Sequence, residues 1–238
     1  MLELKNISFQ AEDEKEILKD VSLKIDDKIV VITGPNGGGK STLAKVIAGI
    51  VTPTGGQILL DGEDITGYSV TERANAGISL AFQQPVRFKG LTVRDLITIA
   101  AGKELNVSEA CSYLSEVGLC AKDYIDRELN ASLSGGEIKR IEIATILARG
   151  SKFSIFDEPE AGIDLWSFQS LIRVFEKMQK EYKGTILIIS HQERILDIAD
   201  KIIYIKDGMV EQYGPKDEIL KTLINAAQPG CDVSMQKI

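Results

Sequence analysis

The sequence predicts an α/β fold with a mainly parallel sheet, an N-terminal antiparallel β region and an inserted helical block. Short β-branched runs, IVVIT at 29–33, FSIFD at 153–157 and TILIIS at 185–190, are typical of strands buried on both faces. Helical patterns follow these runs, and strands that alternate with helices favour a parallel sheet. No strand-like run interrupts residues 91–149, so this segment is predicted to be the inserted helical block.

In chain order, the first elements are strands with partial alternation, LELKNISF and VSLKI, which we expect to pair antiparallel. IVVIT follows, then a glycine-rich loop and a helix that should end near Gly49. GQILLDG and GISLAF are further predicted strands. Near the C-terminus, KIIYI and MVEQY flank KDG, which indicates a hairpin, and PKDEILKTLINAAQ is a predicted helix.

The helical block contains the segments TVRDLITIAAG, SEACSYLSEVGL and GGEIKRIEIATILAR. Ile141, Ala144, Thr145 and Ala148 fall on one face of the last of these helices. We therefore expect one domain over 1–238. Its α/β core spans 1–90 and 150–225, its helical subdomain 91–149 and its C-terminal tail 226–238.

Composition and charge argue against some classes of function. The chain has 238 residues, 44% of them hydrophobic, with a net charge of −7. An acidic chain lacks the cationic face that binding to nucleic acid or anionic lipid requires, so we expect no nucleic-acid partner. No signal peptide and no run long enough to span a membrane is present, which predicts a cytoplasmic protein. Three scattered cysteines are expected to be free thiols.

The run GPNGGGKS at 34–41 fits the phosphate-binding pattern G-x-x-x-x-G-K-[ST]. Glycines let backbone N–H groups turn inward around a phosphate, and the following helix directs its positive N-terminus to the same place. The lysine reaches the β- and γ-phosphates, and the serine hydroxyl ligates Mg²⁺. The predicted nucleotide-binding residues are Gly34, Asn36, Gly37, Gly38, Gly39, Lys40, Ser41 and Thr42.

Acidic side chains end a neighbouring predicted strand. Asp157 and Glu158 follow FSIF, where they project into the crevice beside the phosphate loop. Asp157 is predicted to hold Mg²⁺ with Ser41, and Glu158 to polarise the attacking water. The alternative is a pair of solvated carboxylates before a proline. His191, the only histidine, follows TILIIS; it is either structural or a further site residue.

LSGGE at 133–137 completes a set of motifs that resembles the ATP-binding-cassette (ABC) ATPases over roughly residues 1–220. The resemblance implies a P-loop NTPase core and two ATP molecules held between two cassettes arranged head to tail. It makes LSGGE the signature loop that acts on the partner's ATP through Ser134, Gly135 and Gly136.

The same resemblance assigns the remaining residues. Gln83 in LAFQQP would contact Mg²⁺ and water and act with Glu158 and His191 as a catalytic residue. His191 would hydrogen-bond the γ-phosphate, and Asp164 in EAGID would couple the two sites across the homodimer. One departure stands out, because Ala11 takes the place where many transporter cassettes stack an aromatic residue on adenine; Phe9 is expected to pack in the core.

Within the family, RANAGISLAFQQPV, SGGEIKR and SHQERIL resemble the ATPase of the SUF iron–sulfur cluster assembly system. This predicts a soluble scaffold protein as the partner. DEPEAGID and DIADKIIYIKDGMVEQYG are more similar to transporter cassettes, whose partner is an integral membrane permease. A ribosome- or DNA-acting ABC protein fits less well, because this acidic chain has neither a second cassette nor a long coiled-coil insert.

Overall fold

A computed structural model describes residues 1–12, 14–84, 86, 88–129 and 133–227. Its strands are β1 Leu2–Gln10, β2 Glu16–Ile25, β3 Ile29–Thr33, β4 Gly55–Leu60, β5 Glu63–Asp64, β6 Ile78–Ala81, β7 Phe153–Asp157, β8 Thr185–Ile189, β9 Lys201–Lys206 and β10 Met209–Pro215. Its helices are α1 Lys40–Ala48, α2 Val70–Ala76, α3 Val93–Ala101, α4 Val107–Glu116, α5 Ala121–Tyr124, α6 Gly135–Arg149, α7 Leu165–Glu181, α8 Glu193–Asp197 and α9 Lys216–Ala227.

The strands form two sheets. The larger has the order β10-β9-β3-β8-β7-β6, and all its neighbouring strands run parallel except β10, which pairs antiparallel with β9. The smaller sheet, β2-β1-β4-β5, is antiparallel. The predicted fold class is therefore confirmed, although β2 begins five residues earlier than the segment VSLKI suggested.

Both faces of the large sheet are covered. Alternate residues of β3, such as Val30 and Val31, belong to different apolar clusters. One cluster joins the sheet to α1 and the small sheet, and the other joins it to helices α3 to α7. Burial on both faces explains why the central strands read as continuous apolar runs rather than as alternating ones.

Residues 91–149 are helical in their described part, apart from one isolated bridge between Thr92 and Glu128. Their apolar residues share one cluster with the sheet, so a continuous core joins the helical block to the strands. The domain and subdomain boundaries stay predictions. The expected tail lies outside the described residues from 228 onward, as does Cys231; Cys111 and Cys120 are free thiols.

Arg73 is a buried cation, 1% exposed, near the end of α2. Its guanidinium donates hydrogen bonds to backbone carbonyls at the end of α1 and in the segment before α2, namely those of Val46, Ile47, Thr66 and Tyr68. Both α1 carbonyls belong to the last four of the helix, which lack the usual donor four residues on. The Val46 carbonyl also accepts from the Gly49 N–H at 3.2 Å, so Arg73 completes the C-terminal cap of α1. Burial lowers the pKa of Arg73.

The register brings three strand ends to one edge of the sheet. Ile189, the last residue of β8, pairs with Ile32 of β3 on one side and with Asp157 of β7 on the other. The loops that follow these strands therefore emerge side by side. Within the described residues, none of the helices is long and apolar enough to cross a membrane.

Candidate functional site

The glycine loop between β3 and α1 is pressed against the β9–β10 hairpin. Gly34 has φ of +136°, and a Cβ on it would lie 1.9 Å from the Ile205 carbonyl oxygen. Gly39, with φ of +101°, ends the loop directly before α1. The Gly208 N–H donates to the Gly38 carbonyl at 3.1 Å. Only glycine fits this close backbone approach, which fixes the loop's shape.

The loop forms the floor of an open cleft of about 660 Å³. Predicted site residues that line it are Asn36, Gly37, Gly39, Lys40, Ser41, Thr42, Gln83 and Glu158. Three further groups of lining residues were not predicted: the start of β2 with its preceding residue, Lys15–Ile17; Lys19; and the hairpin turn, Asp207–Gly208. The KDG turn signal predicted a hairpin, but nothing in it indicated contact with the phosphate loop.

The Lys40 ammonium lies under the loop, with only 5% of the residue exposed. It donates to the carbonyl oxygens of Gly34 at 2.8 Å and of Pro35 at 2.9 Å. Burial lowers the pKa of Lys40, while the charges of Glu158 and Asp157 act in the opposite direction. The loop thus holds one cation at a fixed position beside two carboxylates.

Ser41 and Asp157 meet at the cleft, where the serine Oγ donates to Asp157 Oδ1 at 3.0 Å. A hydroxyl and a carboxylate oxygen are the hard donors that Mg²⁺ takes from proteins, with water and phosphate completing the shell. The pair therefore fits a magnesium ion. Burial raises the pKa of Asp157, which shows that this carboxylate gains from a nearby cation. No group of three acidic, histidine or cysteine side chains forms a metal cage within the described residues.

Glu158 has a left-handed backbone with φ of +44°, an uncommon conformation for a residue with a side chain. Its N–H donates to the Ile189 carbonyl at 2.9 Å, which fixes the turn after β7. Gln83 Nε2 donates a short hydrogen bond to Glu158 Oε2. The structure thus brings together the loop after β6 and the predicted water-polarising carboxylate.

The segment after β8 is tied to the turn after β7. Ser190 Oγ donates to Glu160 Oε1, and the Gln192 N–H donates to Ser190 Oγ at 3.0 Å. His191 lies between them in sequence. The pKa of His191 is lowered by burial and then by the Lys40 ammonium, while the charge of Glu158 acts in the opposite direction. Sequence reasoning gave no role to Glu160, whose pKa is raised by burial.

The signature-loop residues form a second cluster. Ser134 caps α6 through a reciprocal capping box with Glu137. A Cβ on Gly135 would lie 3.0 Å from the Gly162 carbonyl, and one on Gly136 would lie 3.0 Å from Ser167 Oγ. Small residues therefore let α6 pack closely on the start of α7.

Asp164 belongs to the same cluster and caps α7, since its carboxylate accepts from the N–H groups of Trp166 and Ser167 at 3.0 Å. A hydrogen bond from the Ser167 hydroxyl at 2.7 Å, followed by the backbone bonds, lowers the pKa of Asp164. The function of Asp164 across a dimer stays a prediction. Among the described residues, none from 133–136 or 164 lines the cleft above Lys40. Phe9 packs against the core as expected, and Ala11 does not line the cleft.

The glycine loop between a buried strand and a helix, on a sheet of this order, defines a P-loop nucleotide-binding protein. The sequence profile of the ABC transporter family matches residues 18–161, which is more than half of the chain. The chain belongs to this family, and it is an ATP-binding, ATP-hydrolysing cassette.

Individual relatives have names that agree with this family assignment. The chain is similar to an uncharacterized ABC transporter ATP-binding protein of Methanocaldococcus jannaschii, with 39% identity covering 86% of this chain and 85% of that protein. A probable ATP-dependent transporter of Pyropia yezoensis is 35% identical, with coverage of 90% and 91%.

Solved structures give the same fold. One is a post-hydrolysis dimer of an ATP-binding cassette with ADP and Pi bound. It matches with a TM-score of 0.80 and 26% identity, over 91% of this chain and 99% of that one. A Clostridium perfringens cassette described as part of an ABC transporter complex matches with a TM-score of 0.77 and 28% identity, over 94% and 93% of the two chains.

Proposed function

We propose that this chain is the ATP-hydrolysing subunit of a membrane transporter whose permease is a separate protein. The names of the relatives support this role, which is the alternative that DEPEAGID and DIADKIIYIKDGMVEQYG indicated. They do not support the cluster-assembly scaffold that SHQERIL and the segment around Gln83 predicted. The observation that carries the proposal is an apolar groove beside Gln83.

The groove lies between β6 and the helical block and has a volume of about 270 Å³. Its lining includes exposed apolar side chains on the segment after β6 and on α3, namely Phe82, Val86, Phe88 and Ile99. Phe88 lines the groove and Leu91 does not, and Pro85 and Arg87 lie outside the described part. Exposed apolar surface of this kind marks a docking site, and the proposed occupant is an apolar segment of the permease.

At the ATP site, the glycine loop binds the phosphates through its backbone N–H groups and the N-terminus of α1. In the described structure Lys40 is hydrogen-bonded to loop carbonyls; in the complex its ammonium contacts the β- and γ-phosphate oxygens. Ser41 and Asp157 would hold Mg²⁺, which would neutralise phosphate charge when bound. Glu158 accepts a proton from the attacking water, and the His191 imidazole donates a hydrogen bond to the γ-phosphate.

The second half of the site comes from another copy of the chain. Ser134, Gly135 and Gly136 begin a helix of fifteen residues and lie outside their own cleft. Their N–H groups bind an anion only if a γ-phosphate reaches them from a partner cassette. We therefore propose that ATP bridges two copies arranged head to tail, and that closure changes the geometry of both grooves. ATP binding changes the permease because the permease binds the open and the closed states of the cassette pair with different affinities.

The partner is tested by purifying the tagged chain from its native cells after membrane fractionation and detergent extraction. A transporter subunit is recovered with a polytopic membrane protein. Recovery with a soluble protein that carries an iron–sulfur cluster, and without a membrane protein, contradicts this proposal in favour of the cluster-assembly partner.

A matched pair of substitutions tests the groove in the same experiment. Ile99 is 63% exposed in the groove, and Val107 is 52% exposed on α4 and does not line it. Ile99→Glu should lose the membrane partner while the isolated chain keeps its ATPase rate, and Val107→Glu should keep both. Equal recovery of the permease with Ile99→Glu contradicts this docking surface.

A further inference from the structure

The backbone of Phe82, the residue before Gln83, is held on both sides by two side chains of α6. The Phe82 N–H donates to Glu142 Oε1 at 3.2 Å, and the Phe82 carbonyl accepts from Lys139 Nζ. Lys139 Nζ lies 3.4 Å from Glu142 Oε2, so the two side chains form an ion pair. Since β6 ends at Ala81, Phe82 obtains from α6 the hydrogen bonds that the sheet no longer supplies.

This ion pair is buried. The exposed fraction of the side chain is 3% for Lys139 and 16% for Glu142, and burial raises the pKa of Glu142. Burying two charges costs free energy that their attraction only partly offsets, and apolar side chains of similar volume would often stabilise the fold as well or better. An apolar pair would not direct two hydrogen bonds to one strand end, so the pair's specific contribution is to hold Phe82.

α6 begins at Gly135 and is capped by Ser134, so Lys139 and Glu142 lie on the helix that the signature loop opens. Lys139 is roughly 6 Å along the helix axis from Gly135, at 1.5 Å per residue. Gln83 directly follows the held residue and donates to Glu158. A rotation of α6 is therefore transmitted to the Glu158 carboxylate in three steps. These are a hydrogen bond from α6 to the Phe82 backbone, the peptide unit between Phe82 and Gln83, and the hydrogen bond from Gln83 to Glu158.

We propose that Lys139 and Glu142 are positioning residues that tie Gln83 to α6. When a γ-phosphate binds at Ser134, the resulting movement of α6 sets where Gln83 places its amide against Glu158. The inference rests on the proposed role of Gln83 at the ATP site. The pair itself touches no reacting atom, and its hydrogen bonds reach the site through the backbone of Phe82. The Lys139 charge also opposes the rise in the pKa of Asp157 that burial causes.

The test replaces the pair by two methionines, K139M/E142M, because an apolar pair of similar volume preserves the fold. The steady-state kcat for ATP hydrolysis should fall about tenfold, which corresponds to about 1.4 kcal/mol. The Kd for ATP should change less than about twofold, because the substitution leaves the glycine loop untouched. Lys177→Met, which removes the lysine of an exposed ion pair with Glu116, is the matched control and should keep the wild-type kcat.

A double-mutant cycle with Gln83→Ala tests whether Lys139 and Glu142 affect catalysis through Gln83. In the Gln83→Ala background, K139M/E142M should lower kcat by less than about twofold, because residues that act through one group are not additive. Wild-type kcat in folded K139M/E142M, or a full tenfold further loss in the Gln83→Ala background, overturns the inference. Wild-type kcat in Gln83→Ala alone overturns the role of Gln83 itself, so the two failures are distinguishable.

Discussion

The fit of the glycine loop against the β9–β10 hairpin can be tested by adding one methyl group at Gly34. A Cβ there meets the Ile205 carbonyl oxygen at 1.9 Å, whereas atoms of this kind essentially never approach within 3.0 Å. The two backbones must separate by about 1 Å, and overpacking of this kind costs about 1–3 kcal/mol. The positive φ of Gly34 adds about 1–2 kcal/mol for any residue with a side chain.

Gly34→Ala should therefore lower the free energy of unfolding by about 2–5 kcal/mol. For a chain of this length the expected loss in Tm is about 10 °C. Gly37 is the matched control, since it lies in the same loop with φ of +77° and a Cβ on it has nothing within 4 Å. Gly37→Ala carries only the φ cost, so its Tm should fall by about 3 °C. Equal losses in the two variants, measured by thermal unfolding, would refute the argument from backbone contact.

Three further predictions address the cap of α1, the buried carboxylate after β7 and the lysine of the loop. Arg73→Met should lower the free energy of unfolding by about 3 kcal/mol in urea titration, because four backbone carbonyls, two in buried and two in part-buried hydrogen bonds, lose a charged donor. Arg73→Lys should lose less, and equal stability of Arg73→Met and wild type would contradict this. Glu160→Gln should stabilise the fold by about 1 kcal/mol at pH 7, because burial raises the pKa of Glu160 and its Oε2 has no hydrogen-bond partner among the described residues. The native state binds that proton more tightly than the unfolded state, so the gain should shrink as pH falls through the raised pKa and vanish below the ordinary glutamate value; a gain independent of pH would contradict the reasoning. Lys40→Ala should abolish ATP binding in calorimetry, and wild-type affinity would exclude the loop as the phosphate site.

The nucleotide loop could be predicted from sequence because its requirements are local. A strand, a backbone turn open to phosphate, a fixed cation and a helix start all lie within residues 29–48. The carboxylates after β7 were predictable for a similar reason, since parallel strands bring their C-terminal ends to one edge. Strand pairing then places Asp157 against Ser41 without any signal in the residues between them.

Contacts between distant segments could not be predicted. The Phe82 backbone and Lys139 are 57 residues apart, and a lysine next to an apolar helix face reads as solvated until its partner is known. Arg73 likewise belongs to a short helix with no apolar pattern, and only the fold shows that it caps α1. The sequence predicted one apolar face of α6, at 141, 144, 145 and 148. In the structure, α6 also buries residues on its other faces.

The partner was the weakest sequence inference, for a physical reason. The segments around Gln83 and His191 are predicted to belong to the ATP site, whose chemistry does not depend on which partner the cassette drives. An apolar groove selects a partner by shape and contact, and its residues are distributed over β6, α3, α6 and the segment between β6 and α3. Similar motifs therefore favoured a cluster-assembly scaffold, while the relatives favour a permease.

The central claim, that ATP is hydrolysed between two copies of this chain, is tested most directly by the mass of Glu158→Gln in light scattering with Mg–ATP. Removing the charge that polarises water should leave ATP bound and unhydrolysed, so the mass should double when ATP is added. Adding Ser134→Arg should return the protein to a monomer, because an arginine there blocks the approach of the partner's γ-phosphate. Ser69 caps α2 with the same reciprocal capping box, so Ser69→Arg is the matched control and should leave the dimer intact. A monomer at saturating ATP, or an undiminished dimer with Ser134→Arg, would contradict the head-to-tail site.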